Sequence, residues 1–233
     1  MGQLRVLALL EKHYPHARIV LRYGNPWELL VAVILSAQCT DVMVNKVTEK
    51  LFATYRSLDA FVRADIKEFE QDIRSTGFYH NKAKNILAAA KLVKEKFHGS
   101  VPKTMEELLT IPGVARKTAN VVLGNAYGVV EGIAVDTHVL RLSQRLRLVD
   151  LDKIEGKKRF SFARPGLAKL KGIDYKKDAD PVKIERELMA VIPQKDWFKT
   201  TYLLIDHGRA VCKAQNPNCQ ACFLHDLCPV SRV

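Results

Sequence analysis

KTMEELLTIPGVARKTANVVLGNAY, residues 103–127, reads as a helix, a tight turn and a second helix. Thr104 and Glu107 have the spacing of a capping box, in which each side chain bonds the other residue's backbone N–H. Met105, Leu108 and Leu109 then give the first helix an apolar face. The run Ile111-Pro112-Gly113-Val114-Ala115 ends it. Pro112 has no N–H to donate and a fixed φ, and Gly113 admits a turn that a Cβ would obstruct. From Arg116 the helical period resumes, with Ala119, Val122, Leu123 and Ala126 on one face. Such a turn points backbone N–H groups outward at a helix N-terminus, which favours an anion such as a phosphate. Taken alone, a Pro-Gly turn between helices is an ordinary helical hairpin.

Helices continue on both sides. Residues 3–14 form a short amphipathic helix. Asn25-Pro26-Trp27-Glu28 is a helix start, with Asn as cap, Pro in the first position and Glu completing the box. Leu29–Ala37 is apolar nearly all round and belongs in the core. Polar groups follow abruptly in Ser36-Ala37-Gln38-Cys39-Thr40-Asp41, where Gln38 is either helix-end surface or a side chain set to act there. Three helices fit residues 41–55, 57–64 and 65–75, the last capped by Asp65 with Ile66, Phe69 and Ile73 inward. Residues 77–83 turn into a long helix that ends at Phe97 and is closed by Gly99. Phe78, in that turn, reads equally as a core aromatic and as an exposed functional one. Asp136 precedes a helix with Val139, Leu142 and Leu146 inward and is most simply its N-cap. Asp180-Pro181 restarts the pattern with Ile184, Leu188 and Val191 inward, and Asp196 caps a last helix through Tyr202, Leu203 and Ile205 to Gly208. No strand-like alternation of useful length emerges, so the fold class is all-α.

The chain has 37 Lys and Arg against 25 Asp and Glu, a formal charge of +12 and a pI near 9.5. That balance favours a polyanion partner through steering and counterion release, without saying which polyanion. Hydrophobic residues are 48% of 233, enough for a substantial core in one domain or two. The longest apolar run, Leu29–Leu35, is far too short to span a bilayer, and no export signal opens the chain. Residues 153–177 stand apart, with nine Lys or Arg against two Asp or Glu and no clear helical period. They read as an inserted basic loop. It is either a solvated flap or a DNA-contacting arm in which Phe160, Phe162 and Tyr175 interleave with the cations.

Four of the five cysteines fall in the last 22 residues, as Cys212, Cys219, Cys222 and Cys228 in the spacing C-x6-C-x2-C-x5-C. This density points to a metal clip in a reducing compartment more than to disulfides. Four thiolates suit zinc or an iron–sulfur cluster, but zinc ribbons more often use two CxxC pairs, and one is present here. Cys39, remote from the others, reads as a small buried hydrophobe.

In combination, the 103–127 hairpin, Val135-Asp136-Thr137-His138, the Leu35–Asp41 run and the cysteine spacing resemble the helix–hairpin–helix base-excision DNA glycosylases. Within that class they resemble the endonuclease III family, from about Asn25 to Cys228. The resemblance implies an all-α fold of two helical domains flanking a DNA cleft: residues 22–130, and residues 1–21 joined with 131–233, the latter carrying a 4Fe–4S cluster on Cys212, Cys219, Cys222 and Cys228 and the insert 153–177. It implies removal of oxidised pyrimidines from duplex DNA and strand cleavage by β-elimination, in a monomer of the prokaryotic cytoplasm acting on nucleoid DNA. Lys117 matches the nucleophile and Asp136 the catalytic aspartate. A helix N-terminus beside Arg116 disfavours the ammonium form of that lysine. Gln38 matches a residue that fills the space left by an extruded base, and Phe78 stands where the family usually has a leucine wedge. Gly113 and Ala115 would hold a phosphate through their N–H groups, although the family usually has a second glycine in place of Ala115. Lys213 leads a cluster loop set against the DNA backbone, and Asp41 and His138 line the substrate pocket, His138 reading equally as a packed helix residue.

Two other readings share some of these features. A non-catalytic DNA-binding iron–sulfur module explains the charge and the hairpin but not Lys117, Asp136 and Gln38 together. A monofunctional adenine-type glycosylase would share the cluster and the aspartate, but that branch usually lacks the lysine.

Overall fold

Short polar side chains start most of the helices. In the computed structural model, which describes residues 2–164 and 167–233, Asn25, Asp65, Thr104, Asp136 and Asp180 each accept a backbone N–H in the first turn that follows them. Each satisfies a donor that the helix itself cannot pair. The chain divides into two compact units, Ile19–Glu131, and Met1–Arg18 joined with Gly132–Val233.

The unit Ile19–Glu131 is built around α2 (Pro26–Leu35), which is buried along its whole length apart from Pro26 and Glu28. A helix apolar all round must be covered on every side. The remaining helices are α3 (Asp41–Thr54), α4 (Leu58–Arg63), α5 (Ile66–Ile73), α6 (Tyr79–Lys96), α7 (Met105–Leu109) and α8 (Arg116–Val122). Of these α3, α6 and α8 lie directly against α2. Trp27, Tyr55, Phe61 and Phe69 form an aromatic knot with ring centroids 5.3 to 5.8 Å apart, mostly edge-on, as ring quadrupoles prefer. Two apolar positions differ from expectation: Ile66 and Leu109 are 43% and 44% exposed. Each sits at an end of a short helix, where few neighbours are available to cover it. The helix after the 111–115 turn also changes pitch. Residues Leu123–Tyr127 widen into a π-type turn that Gly128 closes at φ +66°.

The second unit holds α1 (Gly2–His13), α9 (Thr137–Arg145), β1 (Arg159–Arg164), β2 (Leu167–Lys176), α10 (Pro181–Val191) and α11 (Gln194–Ala210). Leu7, Leu10, Val139, Leu142, Ile184, Leu188, Leu203 and Leu204 meet in one core. Asp196 does not cap the last helix. Pro193 stands at that position, and Asp196 lies in the first turn. Val191 is only half-buried, and Ile192 takes the core position instead.

The basic insert is not a loop. β1 and β2 form an antiparallel hairpin, pairing Arg159 with Lys176 and Phe160 with Tyr175. Irregularities between Phe160 and Ser161 and between Ala163 and Arg164 break the alternation that would mark strands in the sequence. The base of the hairpin is built into the unit: Asp174, Tyr175 and Lys176 are 3%, 6% and 7% exposed. Tyr175 stacks under Phe160 at 5.0 Å and so does not interleave with solvent-facing cations as expected. Pro165 and Gly166 of the insert, and the side chain of Phe162, lie outside the described residues. Among the described residues, no helix is long and apolar enough to cross a membrane.

Candidate functional site

In the unit Ile19–Glu131 the 111–115 turn is held by its own backbone. Val114 N–H donates to Ile111 O at 3.1 Å, and Ala119 N–H to Ala115 O at 3.0 Å. Gly113 adopts φ +81°, and a Cβ there would stand 3.0 Å from Asn85 Cβ, so a side chain would be strained in the backbone and crowded against Asn85. Ala115 is the N-cap of α8 and offers no side-chain acceptor. Gly113 and Ala115 are exposed, and Lys117, the second residue of α8, is half-buried. A helix start without a capping side chain, preceded by a glycine turn, leaves first-turn N–H groups without a side-chain acceptor, an arrangement that favours an anion.

Three exposed residues of the same unit adopt the left-handed conformation that side chains other than glycine rarely take: Gln38 at φ +53°, Phe78 at φ +49° and, just past the end of α6, His98 at φ +51°. Phe78 is 64% exposed, which excludes the core aromatic. Cys39 is half-buried rather than fully buried as expected, because it sits in the exposed connection that leads to α3. Asp41 opens α3 and is half-buried behind the cap Thr40.

Asp136 belongs to the other unit. Its Oδ1 accepts the N–H groups of His138 and Val139, both at 2.8 Å, which fixes the carboxylate at the start of α9. His138 packs against α11: a Cβ on Gly208 would stand 2.6 Å from its Nδ1, and Arg141 Nη2 lies 3.2 Å from the same nitrogen. The packed-helix reading of His138 therefore has direct structural support.

The four cysteines, Cys212, Cys219, Cys222 and Cys228, form no disulfide and line one small cavity with Leu146, His207 and Val211. Burial pushes the Cys222 thiol up and the Cys228 thiol up to about 11. Thiols that resist ionisation when buried require a strong positive charge to be held as thiolates, which a metal centre supplies. Among the described residues, no three His, Cys, Asp or Glu side chains converge as ligands of one ion. A single zinc needs its sulfurs about 2.3 Å from one centre. A cluster binds each thiolate to a different iron, and four thiols around one cavity are the donor set it needs. His207, 1% exposed, has Nε2 3.5 Å from Cys222 Sγ, and burial pushes its value down to about 4. Lys213, which leads the loop after Cys212, is exposed.

Sequence reasoning missed three charged residues that hold these segments. Arg145 donates to both carboxylate oxygens of Asp174 at 2.7 Å, to Lys213 O and Ala214 O, and to Cys212 Sγ at 3.3 Å. Lys82, 5% exposed, donates from Nζ to Leu35 O and Thr76 O at 2.9 and 2.8 Å. The only signal for either cation is its place on an inward helix face beside Leu142 or Ala83.

The family profile described as HhH-GPD superfamily base excision DNA repair protein matches residues 31–165, over half of the chain. Helices α3 to α9 and the 111–115 turn fall within that match, which places the chain in that superfamily, a class of base excision repair proteins. A second profile, the iron–sulfur binding domain of endonuclease III, matches residues 212–228, from the first clustered cysteine to the last. Endonuclease III of Synechocystis sp. is 50% identical over 224 residues, which is 96% of this chain and 90% of that protein. Endonuclease III of Bacillus subtilis is 44% identical over 215 residues, covering 92% and 86%. A solved structure of a trapped endonuclease III–DNA covalent intermediate superposes with a TM-score of 0.84 at 41% identity, over 99% of this chain and 96% of that one. The chain belongs to the endonuclease III family, and its cofactor is a 4Fe–4S cluster.

Proposed function

We propose that the chain excises oxidised pyrimidines from duplex DNA through a lysine Schiff base and then cuts the strand. A damaged nucleotide leaves the stack at a cost of a few kcal/mol. The neutral amine of Lys117 attacks C1′ of its deoxyribose, the N-glycosidic bond breaks, and the base departs with a proton. Ring opening gives an iminium between Nζ and C1′. Loss of a C2′ proton then expels the 3′ phosphate by β-elimination, and water releases the lysine. Asp136 stabilises positive charge developing on the sugar or accepts the amine proton.

The single observation that carries this reading is Lys117 itself, seated one residue inside α8 after the glycine turn, in a chain of the endonuclease III family. Gly113 and Ala115 hold that phosphate by their N–H groups. Gln38 and Phe78 enter the duplex, Phe78 as an aromatic wedge able to stack on the orphaned base. Asp41 and His138 are the substrate-pocket residues that the family resemblance implies. Cys212, Cys219, Cys222 and Cys228 hold the cluster, which supplies structure and sets Lys213 toward the DNA backbone, since four cysteine corners leave no iron open to substrate. The exposed cations Lys157, Lys158 and Arg159 make the hairpin an additional backbone contact. The enzyme acts as a monomer on nucleoid DNA in the cytoplasm.

Duplexes carrying thymine glycol or an abasic site test the proposal. Released base and a 3′ unsaturated aldehyde end are expected. Intact strands with both substrates would contradict it.

A further inference from the structure

The most unusual cation of the unit Ile19–Glu131 is Lys82. It lies in the first turns of α6, is 5% exposed, and directs its ammonium at two neutral carbonyls. One is Leu35 O, at the last residue of α2, where the helix dipole favours a cation. The other is Thr76 O, just before the turn into α6. Both bonds share one nitrogen, so the two carbonyl oxygens lie no more than about 6 Å apart. Burial pushes the lysine's value down, opposed by Cys39.

The residues downstream of the two carbonyls carry the argument. Three positions after Leu35 comes Gln38, and two positions after Thr76 comes Phe78. Both are exposed, and both hold a left-handed backbone that relaxes unless its surroundings over-determine it. A methionine would fill the space of Lys82 without burying a charge, so the ammonium is explained by what it fastens rather than by packing.

We propose that Lys82 is a positioning residue for duplex insertion, clasping the segment before Gln38 to the segment before Phe78 so that both side chains enter DNA as one rigid unit. The inference rests on the reading that Gln38 and Phe78 insert. Lys82 itself touches no DNA. Its removal therefore weakens recognition of a damaged duplex without weakening general attraction to the backbone.

The test uses the holoenzyme as Lys82→Met, Lys82→Arg, Gln38→Ala and Lys82→Met/Gln38→Ala. Each is first shown to be folded by its unfolding midpoint and cluster absorbance. Affinity is measured for undamaged duplex and for duplex with a non-cleavable abasic analogue opposite 2-aminopurine, whose emission reports unstacking. For Lys82→Met, preference for the damaged duplex is expected to fall about tenfold, with the emission change largely lost. Undamaged-duplex affinity and the cleavage rate at saturating enzyme should move far less. Lys82→Arg, which retains donors for both carbonyls, is expected to stay within about threefold of the wild type. The double variant should lose little more than Gln38→Ala alone, since clasp and inserted residue act on one step. A folded Lys82→Met with wild-type preference and emission, beside a damaged Gln38→Ala, overturns the clasp alone. If Gln38→Ala is itself without effect, the insertion reading falls and the clasp with it. Should Lys82→Met not fold, a Lys82→Arg that folds but loses preference as fully as Gln38→Ala also overturns it.

Discussion

Arg145 and Asp174 form a two-armed ion pair at the base of the β1–β2 hairpin, with two N–H···O distances of 2.7 Å and side chains 2% and 4% exposed. The same guanidinium donates to Lys213 O and Ala214 O at 2.7 and 2.8 Å, joining the hairpin to the segment that follows Cys212. Removing Arg145 takes both close donors from a buried carboxylate, leaving it Arg232 at 3.6 Å, and takes one donor each from two part-buried carbonyls. Arg145→Met should therefore cost about 3–5 kcal/mol, and Arg145→Met/Asp174→Leu should recover much of it. Urea midpoints measure the stability, and visible absorbance follows the cluster. An unchanged midpoint in Arg145→Met would show that the pair holds nothing together.

Asp136 has two separable jobs, since it caps α9 through the N–H groups of His138 and Val139 and is proposed to act on the sugar. Asparagine caps as well as aspartate, so Asp136→Asn should keep stability within about 0.5 kcal/mol, while Asp136→Ala loses about 1 kcal/mol. Both should lose base release by on the order of a hundredfold or more under single turnover. If Asp136→Asn retains full activity, the carboxylate is only a cap.

Gly113 is constrained both by φ +81° and by Asn85 at 3.0 Å from any added Cβ. Gly113→Ala should destabilise the fold by about 1–2 kcal/mol. It should also weaken binding to undamaged duplex, and the slope of log affinity against log salt should flatten by about one phosphate's worth. A loss of stability with an unaltered salt slope would place the phosphate elsewhere.

Tyr55 Oη donates to Asp72 Oδ2 at 3.0 Å, and burial together with that carboxylate pushes the phenol up to about 12. A phenol raised above its unfolded value of about 10 stabilises the fold while protonated. Its contribution is complete below pH 10 and is lost as pH climbs toward 12. The stability gap between wild type and Tyr55→Phe should accordingly be widest near pH 8 and shrink above pH 10. A gap that widens with alkalinity would contradict the assigned sign.

Helix starts were legible because caps are local. Asn25, Asp65, Thr104, Asp136 and Asp180 act on N–H groups within three residues, whatever the rest of the chain does. Asp196 misled for the same reason in reverse, since a good cap residue also suits the first turn of a helix begun earlier at Pro193. The hairpin escaped notice because its irregular pairing and its cations erase the two-residue period. Lys82, Arg145 and Lys176 were hidden because their partners are distant: Lys176 Nζ, for example, donates to Ile154 O at 2.9 Å. A cation in a pattern reads as surface, and only the tertiary fold shows which one is buried. Of the candidate site, residue types and spacing identified the cysteines that line one cavity. The exposure and left-handed backbone of Gln38 and Phe78 required the structure.

Borohydride reduction of the enzyme bound to abasic duplex tests the central claim most directly, because it turns a lysine–sugar iminium into a stable protein–DNA adduct. The wild type should give that adduct, and Lys117→Gln, folded and with its cluster intact, should give none. An adduct from Lys117→Gln equal to that of the wild type would contradict the assignment of Lys117 as nucleophile.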